Sequence, residues 1–229
     1  MKLIANMIGR NEVNRFLPEV LKHLVDVVDD IVFTDDASTD DTPLVAGKIG
    51  AHVKVLSEPL FSIDEGRLRS LAWEHLSEFA KRGDWILAID CDELFYQSVD
   101  VRMLMEQYEY DVLGVTFYHM WDPINYRIDK AWAPTISSRL FRFFPGGEFR
   151  QRRLACGSEP TYVTELIRRR KVLWHSGLVM QHLGYMRDED KMSKYQRYME
   201  LDGGDFHARA HLESILDPEP VLIPWTYGD

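Results

Sequence analysis

The sequence predicts an α/β protein built on a mostly parallel sheet with helices on both faces. Three observations carry this. Short apolar runs at 2–8, 31–33, 52–56 and 85–89 alternate with stretches of helical periodicity, the order that implies parallel strands joined by crossover helices. The run Trp85–Ile89 is almost uninterrupted, as expected of a strand covered on both faces. Polar or acidic residues follow three of the runs: Asn11 and Glu12, Asp35 and Asp36, Asp90 and Asp92. Open α/β sheets bind ligands just beyond the carboxyl ends of their strands.

Each element has a local reason. Lys2–Ile8 is an apolar strand ending in the polar turn Gly9–Glu12, and Asn14 is placed to cap a helix with Leu17, Val20, Leu21, Leu24 and Val28 at helical spacing. Pro43 sits early in the second helix, where its missing N–H costs little, and Gly50 ends it. His52–Leu56 is a third strand. A long helix over 64–81 buries Leu68, Leu71, Ala72, His75, Leu76 and Phe79. Beyond the fourth strand the pattern is less regular. Strands are predicted at 112–119, 137–144 (with Arg139 and Arg142) and 179–183, and helices at 160–170 and 188–201 with Met192, Tyr195 and Met199 on one face. The tail from Asp217, with three prolines, reads as irregular. No linker divides the chain, so 1–229 reads as one domain: 1–98 as a ligand-binding half and 99–229 as a second half.

Composition narrows the function. The chain has 229 residues and a net charge of −10, which disfavours a broad electrostatic grip on nucleic acid or anionic membrane. Cys91 and Cys156 are the only cysteines, too few for a disulfide framework, and read as free thiols in a reducing cytoplasm. No signal peptide is evident at the start, and no apolar run reaches membrane-span length.

The acidic strand end is the chemical centre. Asp90 and Asp92 are two apart, so in extended chain both point to one side. Two hard oxygen ligands together with a polyphosphate suit Mg²⁺ or Mn²⁺. The same acids could equally cap a strand end.

Asn6–Glu12, Ile31–Asp40 and Asp84–Glu93 together resemble the serial motifs of family 2 glycosyltransferases with the GT-A fold. The resemblance covers roughly the first hundred residues. It implies a nucleotide-sugar donor (UDP-sugars favoured), a divalent cation (Mn²⁺ or Mg²⁺), and transfer of a hexosyl-type sugar, with inversion, to an acceptor hydroxyl on a glycan, lipid-linked sugar, protein or modified base. Asp35 and Asp36 would contact base and ribose, with Asn6, Arg10 and Asn11 lining the base pocket. Arg69, or its neighbour Arg67, would face the pyrophosphate. Asp92 would bind metal directly, Asp90 would bind the ribose or metal through water, and Cys91 lies between them. His182, ahead of His175, would complete the metal site. Glu159 is the proposed general base, with Glu165 and Asp122 as competitors.

Other features have a functional and a plain reading. Trp121, Tyr126 and Trp132 could stack a sugar ring or simply fill core. The runs Arg150–Arg153 and Arg168–Lys171 could meet an anionic acceptor or be solvated faces. His75, on an apolar helix face, reads as core. Other classes compete: a nucleotide-sugar or glycan-binding module of the same fold with weak catalysis, a sugar-nucleotide nucleotidyltransferase, and a haloacid-dehalogenase phosphatase. The nucleotidyltransferase would want a Gly-rich loop after its first strand, and the phosphatase its acidic motif near that strand. Neither is present.

Overall fold

The computed structural model describes residues 1–97, 99–107, 109–154, 157–201 and 209–226. Cys156, expected to be a free thiol, lies outside them.

The first half follows the predicted alternation: β1 (Leu3–Gly9), α1 (Leu17–Leu24), β2 (Asp30–Asp35), α2 (Thr42–Lys48), β3 (His52–Val55), α3 (Glu65–Ser77) and β4 (Trp85–Ala88). β1 lies between β2 and β4, and β2 pairs with β3, all in parallel. Side-chain alternation along β1 divides the core. Leu3, Ala5 and Met7 join Leu17, Leu21 and Leu24 of α1 on one side, while Ile4 joins Trp73 and Leu76 of α3 on the other. Helices therefore cover both faces, as expected.

The second half extends the same sheet. It comprises β5 (Glu93–Gln97), α4 (Val101–Met105), β6 (Val112–His119), β7 (Asn125–Arg127), β8 (Thr135–Arg142), α5 (Thr161–Arg168), β9 (Val172–His182), α6 (Asp188–Leu201), α7 (Arg209–Glu213) and β10 (Leu222–Pro224). Sheet order is β3-β2-β1-β4-β8-β6-β9-β5. β8 runs antiparallel to β4 and β6, and β9 runs parallel to β6 and antiparallel to β5. Half of this sheet is thus mixed rather than parallel.

Several expectations need correction. The chain does not stay extended through Asp90 and Asp92. It turns, with the Glu93 N–H donating to the Asp90 carbonyl at 3.2 Å, and returns as β5 at the far edge of the sheet. Asn14 caps nothing: α1 starts at Leu17 with Phe16 as its N-cap and no side-chain cap bond, because Pro18 occupies the first turn where an N–H would need one. The 64–81 helix is shorter, Glu65–Ser77, capped by the Asp64 carboxylate accepting from the Arg67 N–H at 2.9 Å. Met192, grouped on one helix face with Tyr195 and Met199, is exposed, whereas those two are partly buried. The tail is not wholly irregular, since β10 pairs antiparallel with β7.

A third cluster of Trp121, Trp132, Tyr185, Leu212 and Ile215 packs beneath α6 and α7. Arg127, fully buried, stacks 4.5 Å over Trp121 and pairs with Asp129 and Asp217 at 2.6 and 3.1 Å. Among the described residues no helix is long and apolar enough to cross a membrane.

Candidate active site

A cleft of about 1030 Å³ opens beyond the carboxyl ends of β1 and β4. Its walls include Arg10, Glu12 and Arg15 after β1, the Asp90–Glu93 turn after β4, Arg139 of β8, His119 and His182 of β6 and β9, and Lys194 and Arg197 of α6. Of the residues singled out in the sequence, Arg10, Asp36, Asp90, Cys91, Asp92 and His182 line it.

The loops after β1 and β2 are knitted together. Asp35 is fully buried and its carboxylate accepts from the Ser38 N–H at 2.7 Å and the Ser38 hydroxyl at 2.5 Å, so it shapes the turn behind the cleft wall. Asp36 accepts from the Leu60 and Phe61 N–H groups at 2.7 and 3.1 Å and itself lines the cleft. Asn11, at a positive φ of 57°, bridges to Ser38 and Thr39 and faces solvent. Asn6 sits within β1 with its Oδ1 buried and unbonded among the described residues. Gly9 is required where it stands. A Cβ there would lie 2.6 Å from Cys91 Sγ and 2.7 Å from the Phe33 ring. Cys91 itself donates to the Ile8 carbonyl at 3.4 Å, and burial pushes its thiol well up, so it is a wall rather than a nucleophile.

The acidic turn is organised by Arg139. Its guanidinium reaches Asp90 Oδ2 at 3.3 Å and Glu93 Oε1 at 3.2 Å, while the Asp90 N–H donates to Glu93 Oε2 at 2.8 Å. Burial pushes the Glu93 carboxyl up to about 8 against the pull of Arg139. Burial works the same way on Asp90, but Arg139 and then Arg69 outweigh it and hold that carboxyl low. Arg69, expected to face the donor, does not line the cleft; it pairs with Glu65 at 3.1 Å, and Arg67 is exposed and also outside the lining.

Asp92 and His182 converge because of sheet register. Glu93 opposes His182 across β5 and β9, the Leu183 N–H donates to the Asp92 carbonyl at 2.7 Å, and Asp92 Oδ2 lies 3.5 Å from His182 Nε2. Between them sits the Lys194 ammonium, 3.0 Å from Asp92 Oδ2 and 3.1 Å from His182 Nε2. Burial and then Lys194 push His182 down, so the ring is neutral and its Nε2 accepts from Lys194. Its Nδ1–H then donates to His119 Nδ1 at 2.9 Å, and burial pushes His119 down to about 3. Burial would raise Asp92, but Lys194 holds its carboxyl well below the usual carboxylate range. Arg15 adds a second positive charge 4.0 Å from Asp92, anchored by Asp190 at 2.9 Å and Glu12 at 2.8 Å.

A resident divalent cation does not fit these residues as they stand. Asp92 and His182 have the right chemistry, but the point at which they converge is occupied by an ammonium. A dication ~3 Å from that ammonium would be repelled by roughly 11 kcal/mol at an effective dielectric of about 20. Among the described residues no group of three or more His, Cys, Asp or Glu side chains could hold a metal.

The family model of glycosyl transferase family 2 matches residues 7–177. The chain belongs to that family. An uncharacterised protein of Mycobacterium tuberculosis is 23% identical over 218 residues, which cover 88% of this chain and 51% of that protein. An uncharacterised glycosyltransferase of Rickettsia felis is 33% identical over 92 residues, 40% of this chain and 29% of that one. The chain thus spans about half the length, or less, of these relatives. Among solved structures, TarS of S. aureus superposes with a TM-score of 0.55 at 18% identity, covering 94% of this chain and 42% of TarS. A shorter TarS, residues 1–349 in complex with UDP-GlcNAc, gives 0.54 at 15% identity, with 94% and 70% covered. These likenesses establish the GT-A fold.

The family 2 match ends before His182, Tyr185 and Lys194, so the α6 side of the cleft lies outside it. Sequence reasoning missed Arg15, Arg139 and Lys194 as site residues. Arg139 had a faint signal: it and Arg142 are three apart on a strand and so face opposite sides. Arg142 turns to Trp85 and the Met105 carbonyl. Lys194 had none, because a lysine on a charged helix is ordinary.

The remaining candidates sort by position. Glu159 lies just before Pro160, the N-cap of α5, accepts from the Ser138 hydroxyl at 3.3 Å, and sits next to the cleft-lining Gly157 without lining the cleft itself. Glu165 is engaged on the surface with Arg168 and Arg169, and Asp122 holds the 122–125 turn. His175 is exposed on β9, away from the cleft, and His75 is buried against Thr34 at 3.1 Å. Trp121 and Trp132 are core. Tyr126 packs on Tyr118 and Trp225, and among the described residues Phe61, Phe117, Tyr185 and Tyr198 reach the cleft.

Proposed function

We propose that the chain transfers a sugar from a nucleoside-diphosphate sugar, UDP-sugars favoured, to an acceptor hydroxyl. One observation carries the reading: in a family 2 chain, a single cleft gathers polar residues from the ends of β1, β2 and β4 and faces them with Arg15, Lys194 and Arg197. Polar strand ends suit a nucleoside, and clustered cations suit a diphosphate. TarS has been crystallised with UDP and with UDP-GlcNAc, which supports uridine as the base.

In this reading residues 1–98 hold the donor and 99–229 the acceptor. Asp36, with Arg10, forms the base and ribose side, and Asn6, Asn11, Asp35 and Cys91 shape its wall. Asp90 takes the ribose, and Arg69 acts on the diphosphate side through the acidic turn. Glu159 accepts the acceptor proton, giving inversion, with a hexose the favoured sugar. The leaving diphosphate gains negative charge, and fixed cations stabilise charge where it develops. The Mn²⁺ or Mg²⁺ implied by the family resemblance has no step here, because Lys194 stands at its expected ligands. The reducing cytoplasm is the proposed compartment, in keeping with the free Cys91 thiol.

Thermal-shift titration with UDP-, GDP-, dTDP- and CDP-sugars tests the reading. One nucleotide class should raise the unfolding temperature, since a ligand binding only the native state stabilises it. Folded protein that responds to none of them would overturn it in favour of a glycan-binding module.

A further inference from the structure

We propose that the Lys194 ammonium is the built-in cation of this site and donates to the leaving diphosphate in place of a divalent metal. The inference rests on the glycosyl-transfer reading and adds to it what neutralises the leaving group.

Lys194 is held at the meeting point of the two side chains most suited to a metal, Asp92 at 3.0 Å and His182 at 3.1 Å. An ammonium has three hydrogens, and Asp92 and His182 are its two acceptors among the described residues. The Tyr185 ring packs at 4.5 Å, and the lysine lines the cleft, so the third hydrogen is available to an anionic oxygen there.

The surroundings are built for this arrangement. His119 holds the outer nitrogen of His182 and leaves the inner one to accept from Lys194. Gly184 leaves room, since any Cβ there would collide with Lys194 Nζ and Asp92 Oδ2. Arg197 also lines the cleft, with its Nε buried and unbonded among the described residues, and Arg15 stands behind Asp92. In the transfer, the bond between the anomeric carbon and the diphosphate oxygen breaks and its electron pair goes to the diphosphate. The acceptor oxygen bonds the anomeric carbon and its proton passes to a carboxylate. The new negative charge on the diphosphate is met by Lys194.

Calorimetric titration with UDP, using wild-type protein treated with EDTA and then supplied with saturating Mn²⁺, tests the proposal. UDP should bind equally well in both conditions. Lys194→Met should weaken binding in EDTA by about tenfold or more, and Lys194→Arg, which keeps the charge, should retain most of it. Mn²⁺ spectra should show no bound ion in wild type, and a bound ion in Lys194→Met, where Asp92 and His182 are freed. UDP binding by wild type that needs Mn²⁺ overturns this proposal and leaves glycosyl transfer standing. No binding of UDP, GDP, dTDP or CDP in either condition overturns both. Should Lys194→Met fail to fold, the wild-type comparison and Lys194→Arg still decide.

Discussion

Lys194 Nζ lies 3.0 Å from Asp92 Oδ2, across 102 positions of sequence. Three layers of structure bring them together: the turn after β4, the β5–β9 register, and the docking of α6. The pair joins the acidic strand end, legible in the sequence, to a helix whose role was not. Asp92→Asn keeps the shape and removes the charge that holds the ammonium. Turnover should fall by about 10²-fold, the scale of losing one fixed electrostatic contact at a reacting centre. Far-ultraviolet circular dichroism should be unchanged. Wild-type turnover in Asp92→Asn would mean that the pair has no part in catalysis.

Gly9→Ala tests the tight passage between β1 and the acidic turn. The added methyl meets Cys91 Sγ and the Phe33 ring well inside contact distance. Overpacking of this kind costs about 1–3 kcal/mol, to be measured by urea unfolding. Cys91→Ala in the same chain should recover part of that loss.

Arg127 is a test of stability apart from chemistry. It is fully buried, pairs with Asp129 and Asp217, and stacks on Trp121. Truncation empties a fully buried site and leaves the Ser214 carbonyl without its donor, so Arg127→Ala should cost about 3 kcal/mol. The loss should appear in the unfolding midpoint, with UDP affinity retained in protein that remains folded.

His75 gives a pH dependence with a definite sign. Burial lowers its pKa, and its Nδ1 is hydrogen-bonded to Thr34. The unfolded chain binds the proton more readily, so the stability tied to neutral His75 is full above about pH 6.5 and falls as pH drops toward the folded-state value. His75→Leu should flatten that part of the plot of unfolding temperature against pH. An identical slope in both proteins would contradict the buried neutral imidazole.

Legibility followed the range of the interactions. The four parallel strands and their helices could be read because apolar periodicity is a local property. His75 was read as core for the same reason, and β4 was recognised from its unbroken apolar run. Strand β5 was missed because Glu93–Gln97 has no alternation to mark it, and its partner β9 lies some eighty positions on. Trp121 and Trp132 kept two readings because an aromatic's neighbours, not its identity, decide whether it is core.

The sequence by itself determined the α/β plan, the polar strand ends, and the family resemblance carried by three ordered motifs. These depend on residues close together in the chain. Only the tertiary structure decided that Asp35 shapes a turn while Asp36 reaches the cleft, that Arg139 clamps Asp90 to Glu93, and that Lys194 fills the space between Asp92 and His182. The reason is physical. Which charge faces which is set by strand register and helix docking, and a lysine on a solvated helix reads the same as one whose ammonium is buried between a carboxylate and an imidazole.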